Sequence, residues 1–242
     1  MGKRILGLDF ETTWTNPVDT KKCLVTEIGA VLVDSDDMKN PLAVQSNFIW
    51  GADYPKSPQE LIDLTGLTDN ILSEFGINPK VGFEELIELI NKADYVVAHN
   101  GNEFDKPILE AECARYGLEM PSVPWVDTKT DVPYPKSIKT SKLSYLCAEH
   151  GFTNSGAHRA LFDTLSMLRV LSMYNIDEVL ELSKQPTVYC VASVSFADKH
   201  LARDRGYYWN PDAKKWYKAM KAPAAQIEKQ EAGFYVDIQN NK

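Results

Sequence analysis

Several features that mark common protein classes are missing from this sequence. Its four cysteines are widely spaced and form no CxxC pair, which argues against a zinc site or a disulfide framework and favours a reducing cytosol. The first residues, MGKRILGLDF, hold too short an apolar run for a signal peptide, and no stretch is long enough to span a membrane. We therefore expect a cytoplasmic protein with no membrane partner.

An excess of positive charge is also missing. The net charge is −8, which is not typical of a general nucleic-acid binder. From Thr187 to Lys242, however, basic residues exceed acidic ones by three, so that the rest of the chain carries −11. Two units with different roles would explain this asymmetry, and so would chance variation in surface composition.

The apolar patterns in the first three quarters of the chain predict an α/β fold. Strands are expected at 5–8, 23–33, 48–50, 95–98 and near Val126, and helices at 57–72 with a break at Gly66, at 83–91, from near Pro107 to Gly117, at 143–150 and at 159–174. Three strands followed by alternating strands and helices favour a sheet with helices packed on its faces.

The pattern restarts after Leu182. Ser183–Pro186 is the expected boundary between a domain at 1–182 and a small α+β domain at 187–242. In the second domain we expect a strand at 188–196, a helix at 198–204, a hairpin at 207–220 that turns at 210–212, a helix at 224–232 and a strand at 234–238.

Carboxylates stand at several predicted strand and helix boundaries. Asp9 and Glu11 are two residues apart at the end of the first strand, so both side chains face the same way. Asp105 lies at the start of the helix that follows the strand YVVA. Taken singly, the acidic pair could be an exposed edge-strand face, and Asp105 could simply favour the helix dipole.

A histidine and a further aspartate come from a third segment, GAHRALFD. His158 and Asp163 are five residues apart and would not share a face of one helix, so we place His158 on the preceding loop and Asp163 inside the helix. Among the other histidines, His99 is expected to stabilise a turn, and His150 and His200 to lie on the surface.

Together these residues indicate metal-dependent chemistry. Clustered carboxylates bind hard divalent cations such as Mg²⁺ or Mn²⁺, and like charges packed closely are unfavourable without a cation. A histidine beside them can move a proton near neutral pH. A metal site with a proton relay is suited to phosphodiester hydrolysis, so we interpret the chain as a nuclease.

The order of the motifs DFE, HNGNEFD and HRALFD is far more specific than any of them alone. In this order the chain resembles the DnaQ-like, or DEDD, exonuclease superfamily, in the branch whose last motif carries histidine. The resemblance covers roughly residues 4–175 and includes SPQELIDLTGLTDNIL. The second motif, AHNGNEFDKPILEAE, has one residue more than the common form and most resembles the TREX-like DNA exonucleases.

This resemblance implies an RNase H-like mixed five-stranded sheet flanked by helices, and a two-metal site. Asp9, Glu11 and Asp163 would bind the first Mg²⁺, Asp9 would bridge to the second, and Asp105 would contribute through water. Mn²⁺ is expected to substitute. His158 would be the general base, and Thr12, Leu67 and Asn100 would contact the substrate.

The function expected from the resemblance is 3′→5′ exonuclease activity on DNA, at single-stranded or frayed ends, with release of 5′-mononucleotides. The alternatives are an exoribonuclease of the same fold and a catalytically silent nucleic-acid-binding adaptor. DNA repair, salvage and proofreading all remain open, as do a homodimer and a polymerase partner. The size and tail fit a bacterial or phage enzyme.

Aromatic residues alternate with lysines in the last quarter of the chain. Bases stack on aromatic rings while ammonium groups meet phosphates, so this segment suits a single strand, although the rings could equally fill a small core. The residues concerned are Tyr207, Tyr208, Trp209, Trp216 and Tyr217, with Lys214, Lys215, Lys218 and Lys221. Lys136, Lys139 and Lys142 of the loop 121–142 could also meet the substrate.

Overall fold

The computed structural model describes residues 2–14 and 23–240. The first part of the chain contains β1 (Arg4–Thr12), β2 (Val25–Asp34), β3 (Ala43–Phe48), α1 (Gln59–Thr65), α2 (Asp69–Phe75), α3 (Pro79–Ile90), β4 (Tyr95–Ala98), α4 (Asp105–Tyr116), β5 (Trp125–Asp127), α5 (Leu143–Glu149), α6 (Ala160–Leu171) and α7 (Ile176–Ser183). The remainder contains β6 (Thr187–Ser193), α8 (Lys199–Asp204), β7 (Tyr208–Asn210), β8 (Lys215–Lys221), α9 (Ala222–Glu231) and β9 (Tyr235–Asn240).

The first five strands form one mixed sheet in the order β3-β2-β1-β4-β5. β1, β2 and β3 are antiparallel neighbours, whereas β4 runs parallel to both β1 and β5. Almost every residue of β2 is buried, as expected for a central strand covered on both faces. The predicted α/β fold with a mixed five-stranded sheet is therefore confirmed.

Helices cover the two faces of this sheet and divide its core in two. One cluster joins Leu6 and Leu8 of β1 to Phe83 of α3 and Leu109 of α4. The other joins Ile5 of β1 to α6 and α7. Because side chains alternate along a strand, the odd-numbered residues of β1 face α6. This alternation decides which helix the acidic residues of β1 meet.

Several element boundaries differ from the sequence-based predictions. β3 lies before 48–50 because it is a largely polar edge strand, AVQSNF, that gives little apolar signal. α4 begins at Asp105 rather than near Pro107, and α7 was not predicted at all. The break at Gly66 is confirmed, since this residue ends α1 in the left-handed conformation at φ 74°.

The second sheet has the order β7-β8-β6-β9 and is antiparallel throughout. α8 and α9 pack on one of its faces, where Ala202 and Ala225 meet Val188 and Cys190. The predicted small α+β unit is therefore present, with its hairpin turn just after Asn210. Its hydrophobic cluster is separate from the two that flank the first sheet.

Two of the lysines proposed to meet phosphates are engaged inside the protein, which corrects that interpretation. Lys221 is buried and its Nζ lies 2.8 Å from Asp131 Oδ1 of the first unit. Lys218 donates to the Arg205 carbonyl at 2.7 Å. Lys136, on the loop, forms an exposed ion pair with Glu231.

Of the helices in residues 2–14 and 23–240, none has the length and the apolar composition needed to cross a membrane.

Candidate active site

The acidic pair of β1 lies within the strand, near its end. Asp9 is paired with Gly29 and Glu11 with Glu27 of β2. Both carboxylates are half-buried and face α6, as the two-residue spacing predicted. The strand thus presents two acidic side chains, one above the other, to the first turn of that helix.

Asp105 is the first residue of α4 and is fully buried. Its Oδ1 accepts a hydrogen bond from the Phe10 backbone N–H at 3.1 Å, which holds the start of α4 against β1. Its Oδ2 has no hydrogen-bond partner among the described residues. A buried carboxylate oxygen without a partner is costly unless a cation or a proton occupies that position.

The longer second motif is stabilised by an aspartate of β5. Asn100 has φ 67°, and its backbone N–H donates to Asp127 Oδ1 at 2.9 Å. The backbone N–H of Asn102 donates to Asp127 Oδ2 at 3.2 Å. Asp127 therefore fixes the loop that delivers Asp105, a role that the sequence did not reveal.

His158 and Asp163 come together as the loop before α6 turns back on the helix. The backbone N–H of His158 donates to Asp163 Oδ2 at 2.9 Å, and Asn154 Nδ2 donates to Oδ1. His158 has φ 64°, is exposed, and lies on the loop as predicted. Ligand atoms of Glu11, His158 and Asp163 lie within 4.8 Å of one another.

Burial and mutual repulsion act on these carboxylates in the same direction. Burial raises the pKa of Glu11 to about 8, with a further contribution from the charge of Asp163. The pKa of Asp9 lies well above its usual value because of burial and then the charge of Asp105. Burial also raises the pKa of Asp105 and of Asp163. A divalent cation would relieve this repulsion, so these residues fit a metal site.

Glu27, which the sequence-based analysis missed, binds the residue that follows His158. Its carboxylate accepts from Arg159 Nε at 3.0 Å and Nη2 at 3.1 Å, and from the Ala160 backbone N–H at 3.2 Å. The guanidinium also lies over the Phe48 ring, 5.1 Å from its centroid. This bidentate pair anchors the start of α6 to β2 and so positions the histidine loop.

The model of the RNase_T exonuclease family matches residues 6–171. The chain belongs to this family. A curated relative, the PolC-type DNA polymerase III of Mycoplasma genitalium, is 28% identical over 116 residues, which is 47% of this chain and 8% of the relative. The chain therefore spans a small fraction of the polymerase that it matches.

Two solved structures share the fold of this chain. The zinc-bound form of E. coli exonuclease I with single-stranded DNA has a TM-score of 0.64 at 14% identity, over 84% of this chain and 50% of that one. The nuclease domain of 3′hExo, a DEDDh family member bound to rAMP, has a TM-score of 0.57 at 19% identity, over 71% and 91%. The predicted RNase H-like fold, a mixed five-stranded sheet flanked by helices, is thus confirmed.

The three residues predicted to contact substrate lie in different surroundings. Thr12 is buried beside the acidic pair, and its Oγ1 donates to the Trp14 carbonyl at 2.6 Å. Leu67 is buried between α1 and α2. The Asn100 side-chain carbonyl accepts from Lys129 Nζ at 2.7 Å. Their contacts with substrate remain predictions.

Two further histidines, His99 and His150, form hydrogen bonds within the protein. His99 is half-buried, with Nδ1 2.8 Å from Thr128 Oγ1 and Nε2 2.6 Å from the Ser141 carbonyl, and burial lowers its pKa to about 4. This matches the predicted structural role. The surface position predicted for His150 is wrong, because its Nε2 lies 2.7 Å from the Tyr174 hydroxyl in a half-buried aromatic cluster.

Proposed function

We propose that this protein is an exonuclease that hydrolyses DNA from the 3′ end and releases 5′-mononucleotides, acting on single-stranded or frayed ends. The observation that carries the proposal is the cluster of Glu11, Asp163 and the exposed His158, whose ligand atoms lie within 4.8 Å of one another. Two further carboxylates adjoin it, since the charge of Asp9 interacts with those of Glu11, Asp163 and Asp105. Carboxylates placed this closely have little structural use without cations, whereas two-metal nucleases need them.

In this proposal the carboxylates hold two Mg²⁺ ions. Asp9, Glu11 and Asp163 would hold the first ion and Asp9 would also contribute to the second. Asp105, whose Oδ2 has no hydrogen-bond partner among the described residues, would contribute through water. Mn²⁺ is expected to substitute, since both ions prefer oxygen ligands. When bound, the two ions would stabilise charge on the attacking and leaving oxygens of the phosphodiester.

His158 is proposed to be the general base. A ring nitrogen lies within 4.8 Å of the carboxylate oxygens of Glu11 and Asp163, and the side chain is exposed to solvent, from which the attacking water comes. The left-handed backbone at this residue and its N–H bond to Asp163 turn the imidazole back toward the carboxylates. An imidazole in that place can take a proton from water at neutral pH.

DNA is the proposed substrate because of the TREX-like second motif, the DNA polymerase relative and the single-stranded DNA bound to exonuclease I. Thr12, Leu67 and Asn100 are proposed to contact the terminal nucleotide. One observation favours RNA instead: the 3′hExo nuclease domain has been solved with rAMP.

We also propose that residues 1–182 form the catalytic domain and 187–242 an accessory domain.

Digestion of a 5′-labelled single-stranded DNA oligomer in Mg²⁺ tests the proposal. Wild type should yield a ladder that shortens from the 3′ end, and Asp9→Asn should slow it by at least about a hundredfold, the scale for loss of one transition-state-stabilising group. Asp94→Asn is the matched control. Asp94 is an exposed carboxylate near the opposite end of β1, where it accepts a hydrogen bond from the Arg4 backbone N–H.

The remaining outcomes separate the alternatives. EDTA should stop the reaction, and fresh Mg²⁺ or Mn²⁺ should restore it. Faster digestion of an RNA oligomer of the same sequence would replace DNA by RNA as the substrate. Digestion that survives EDTA would contradict the exonuclease proposal, and so would DNA and RNA oligomers that both stay intact.

A further inference from the structure

Three tyrosines joined by ring contacts lie on the face of the second sheet that α8 and α9 leave uncovered, a face that also carries Tyr235 of β9. Tyr189, Tyr208 and Tyr217, here called the tyrosine face, lie on β6, β7 and β8. The rings of Tyr208 and Tyr217 are stacked, with centroids 6.0 Å apart and planes at 28°. Tyr189 meets Tyr217 edge-on at 6.4 Å. The strand register places all three opposite the helix-packed core.

The tyrosine face adjoins the candidate active site. The Tyr189 hydroxyl lies 3.5 Å from Glu103 Oε1, and Glu103 is two residues before Asp105 in the loop that delivers this carboxylate. Lys221, which alternation places on the same face as Tyr217, reaches Asp131 of the first unit at 2.8 Å. The face thus contacts the first unit at two points, of which only Glu103 lies in the loop that delivers Asp105.

We propose that the tyrosine face binds the part of a single-stranded nucleic acid that extends out of the catalytic site, with bases stacked on the rings. This inference rests on the proposed function, which places a 3′ end at the carboxylates next to Glu103. Tyr208 is 52% exposed, so its ring is accessible to a base, and the stack with Tyr217 holds it in place beforehand. Such stacking is sequence-tolerant, as an exonuclease requires.

The charge on this face indicates that stacking, rather than phosphate attraction, supplies the binding energy. Lys215 is exposed and shares the face with Tyr217, but Glu103 and Asp237 are also there. Binding that depends on released counterions weakens steeply with salt, whereas ring stacking does not. The contribution of Tyr208 should therefore persist as the salt concentration rises.

The aromatic residues that alternate with these tyrosines belong to the other face. Trp209 packs against Trp216 with ring centroids 5.5 Å apart, and Trp216 joins the core beneath α8 and α9. Trp209 is 47% exposed, close to the 52% of Tyr208. The two neighbours in β7 thus offer similar exposed rings in opposite directions, and Trp209 is the matched control.

The test measures the affinity of a fluorescein-labelled oligo-dT by anisotropy in Mg²⁺, in the Asp9→Asn background to prevent digestion. Tyr208→Ala should raise Kd about 5- to 150-fold, as expected for loss of one stacked base. Tyr208→Phe should keep nearly all affinity because it keeps the ring, and Trp209→Ala should leave Kd within about twofold. The ratio for Tyr208→Ala should be the same in low and high NaCl.

Two results would overturn the tyrosine face as a binding site. One is an unchanged Kd for Tyr208→Ala, and the other is an equal loss for Trp209→Ala. Neither would affect the proposed function, because wild-type digestion of DNA and its loss in Asp9→Asn are measured separately. Conversely, a wild-type protein that digests no oligomer but binds oligo-dT through Tyr208 would support the tyrosine face as a binding site and contradict the exonuclease proposal.

Discussion

At the scale of single residues, the clustered carboxylates are held together against their own repulsion. The hydrogen bond from Phe10 to Asp105 and those from His158 and Asn154 to Asp163 stabilise the charged forms. These bonds are too few to offset burial, so the pKa values remain raised. The folded protein without metal therefore stores an electrostatic cost that a cation would remove.

This cost predicts a pH dependence of the metal-free protein. The pKa of Glu11 is about 8 in the folded state and about 4.3 when unfolded, so its protonated form stabilises the fold below about pH 4 and this contribution is lost as pH rises through 8. In EDTA, the melting temperature of Glu11→Gln should exceed that of wild type by more at pH 8 than at pH 5. Each kcal/mol shifts the melting temperature by about 2–4 °C.

The difference between variant and wild type is the informative quantity, since other groups titrate too. His99, whose pKa is lowered to about 4, contributes stability that increases as pH rises through its unfolded value, and this cancels in the difference. Glu60→Gln, an exposed change in α1, is the control. Scanning calorimetry from pH 5 to 9 makes the measurement, and Mg²⁺ should reduce the difference. A difference independent of pH would contradict this account.

The sequence located the acidic residues because each stands at a recognisable strand or helix boundary. It did not locate Glu27, which sits in an apolar strand and is explained by a partner 132 positions away, Arg159. Asp127 was missed for the same reason, since its contacts to Asn100 and Asn102 depend on the pairing of β4 with β5. Local spacing indicates which side chains of one short segment share a face or a turn. It does not reveal hydrogen bonds between segments that are far apart in the sequence.

At the scale of elements, α6 is the part whose position decides the site, because it carries Asp163 and follows His158. It lies directly on β1 and β2, where glycines allow close approach. A Cβ at Gly29 would lie 2.2 Å from the Ala160 carbonyl carbon, a backbone atom of the first turn. A Cβ at Gly7 would meet only side-chain atoms, 2.8 Å from Leu168 Cδ1 and 2.9 Å from Thr164 Cγ2.

This contrast predicts unequal effects of the same substitution. Gly29→Ala must displace the start of α6, and since a shift of about 1 Å can reduce the rate about a hundredfold, its kcat should fall on that scale. Gly7→Ala can be accommodated by rotation of side chains, at a cost of about 1–3 kcal/mol in stability, with most activity kept. Digestion rates normalised to the folded fraction measure the contrast; equal losses in both variants would refute it.

Element boundaries were predictable where the chain marks them and not elsewhere. Gly66 and Gly117 end helices in the left-handed conformation and were recognised from sequence. β3 was misplaced because its alternation is mostly polar, and α7 was missed although it buries Val179 and Leu180. These elements owe their stability to the neighbours they pack on, a tertiary effect that local propensity does not carry.

At the scale of the whole molecule, two ion pairs of contrasting burial connect the α+β unit to the first unit. Lys221 and Asp131 are both buried, and the ammonium also donates to the Gln185 carbonyl at 3.1 Å. Asp131 in turn accepts the Asp127 backbone N–H at 3.0 Å, which continues the contact toward the loop that delivers Asp105. The pair of Lys136 and Glu231, by contrast, is exposed.

The two pairs predict opposite outcomes for one substitution. Lys221→Met leaves the Asp131 carboxylate buried without its cation, which should cost about 3–5 kcal/mol of unfolding free energy. Lys136→Met removes an exposed pair and should cost no more than about 1 kcal/mol. Urea denaturation gives both values. Equal costs would mean that the buried pair does not hold the units together, and another contact would then have to anchor the tyrosine face to the first unit.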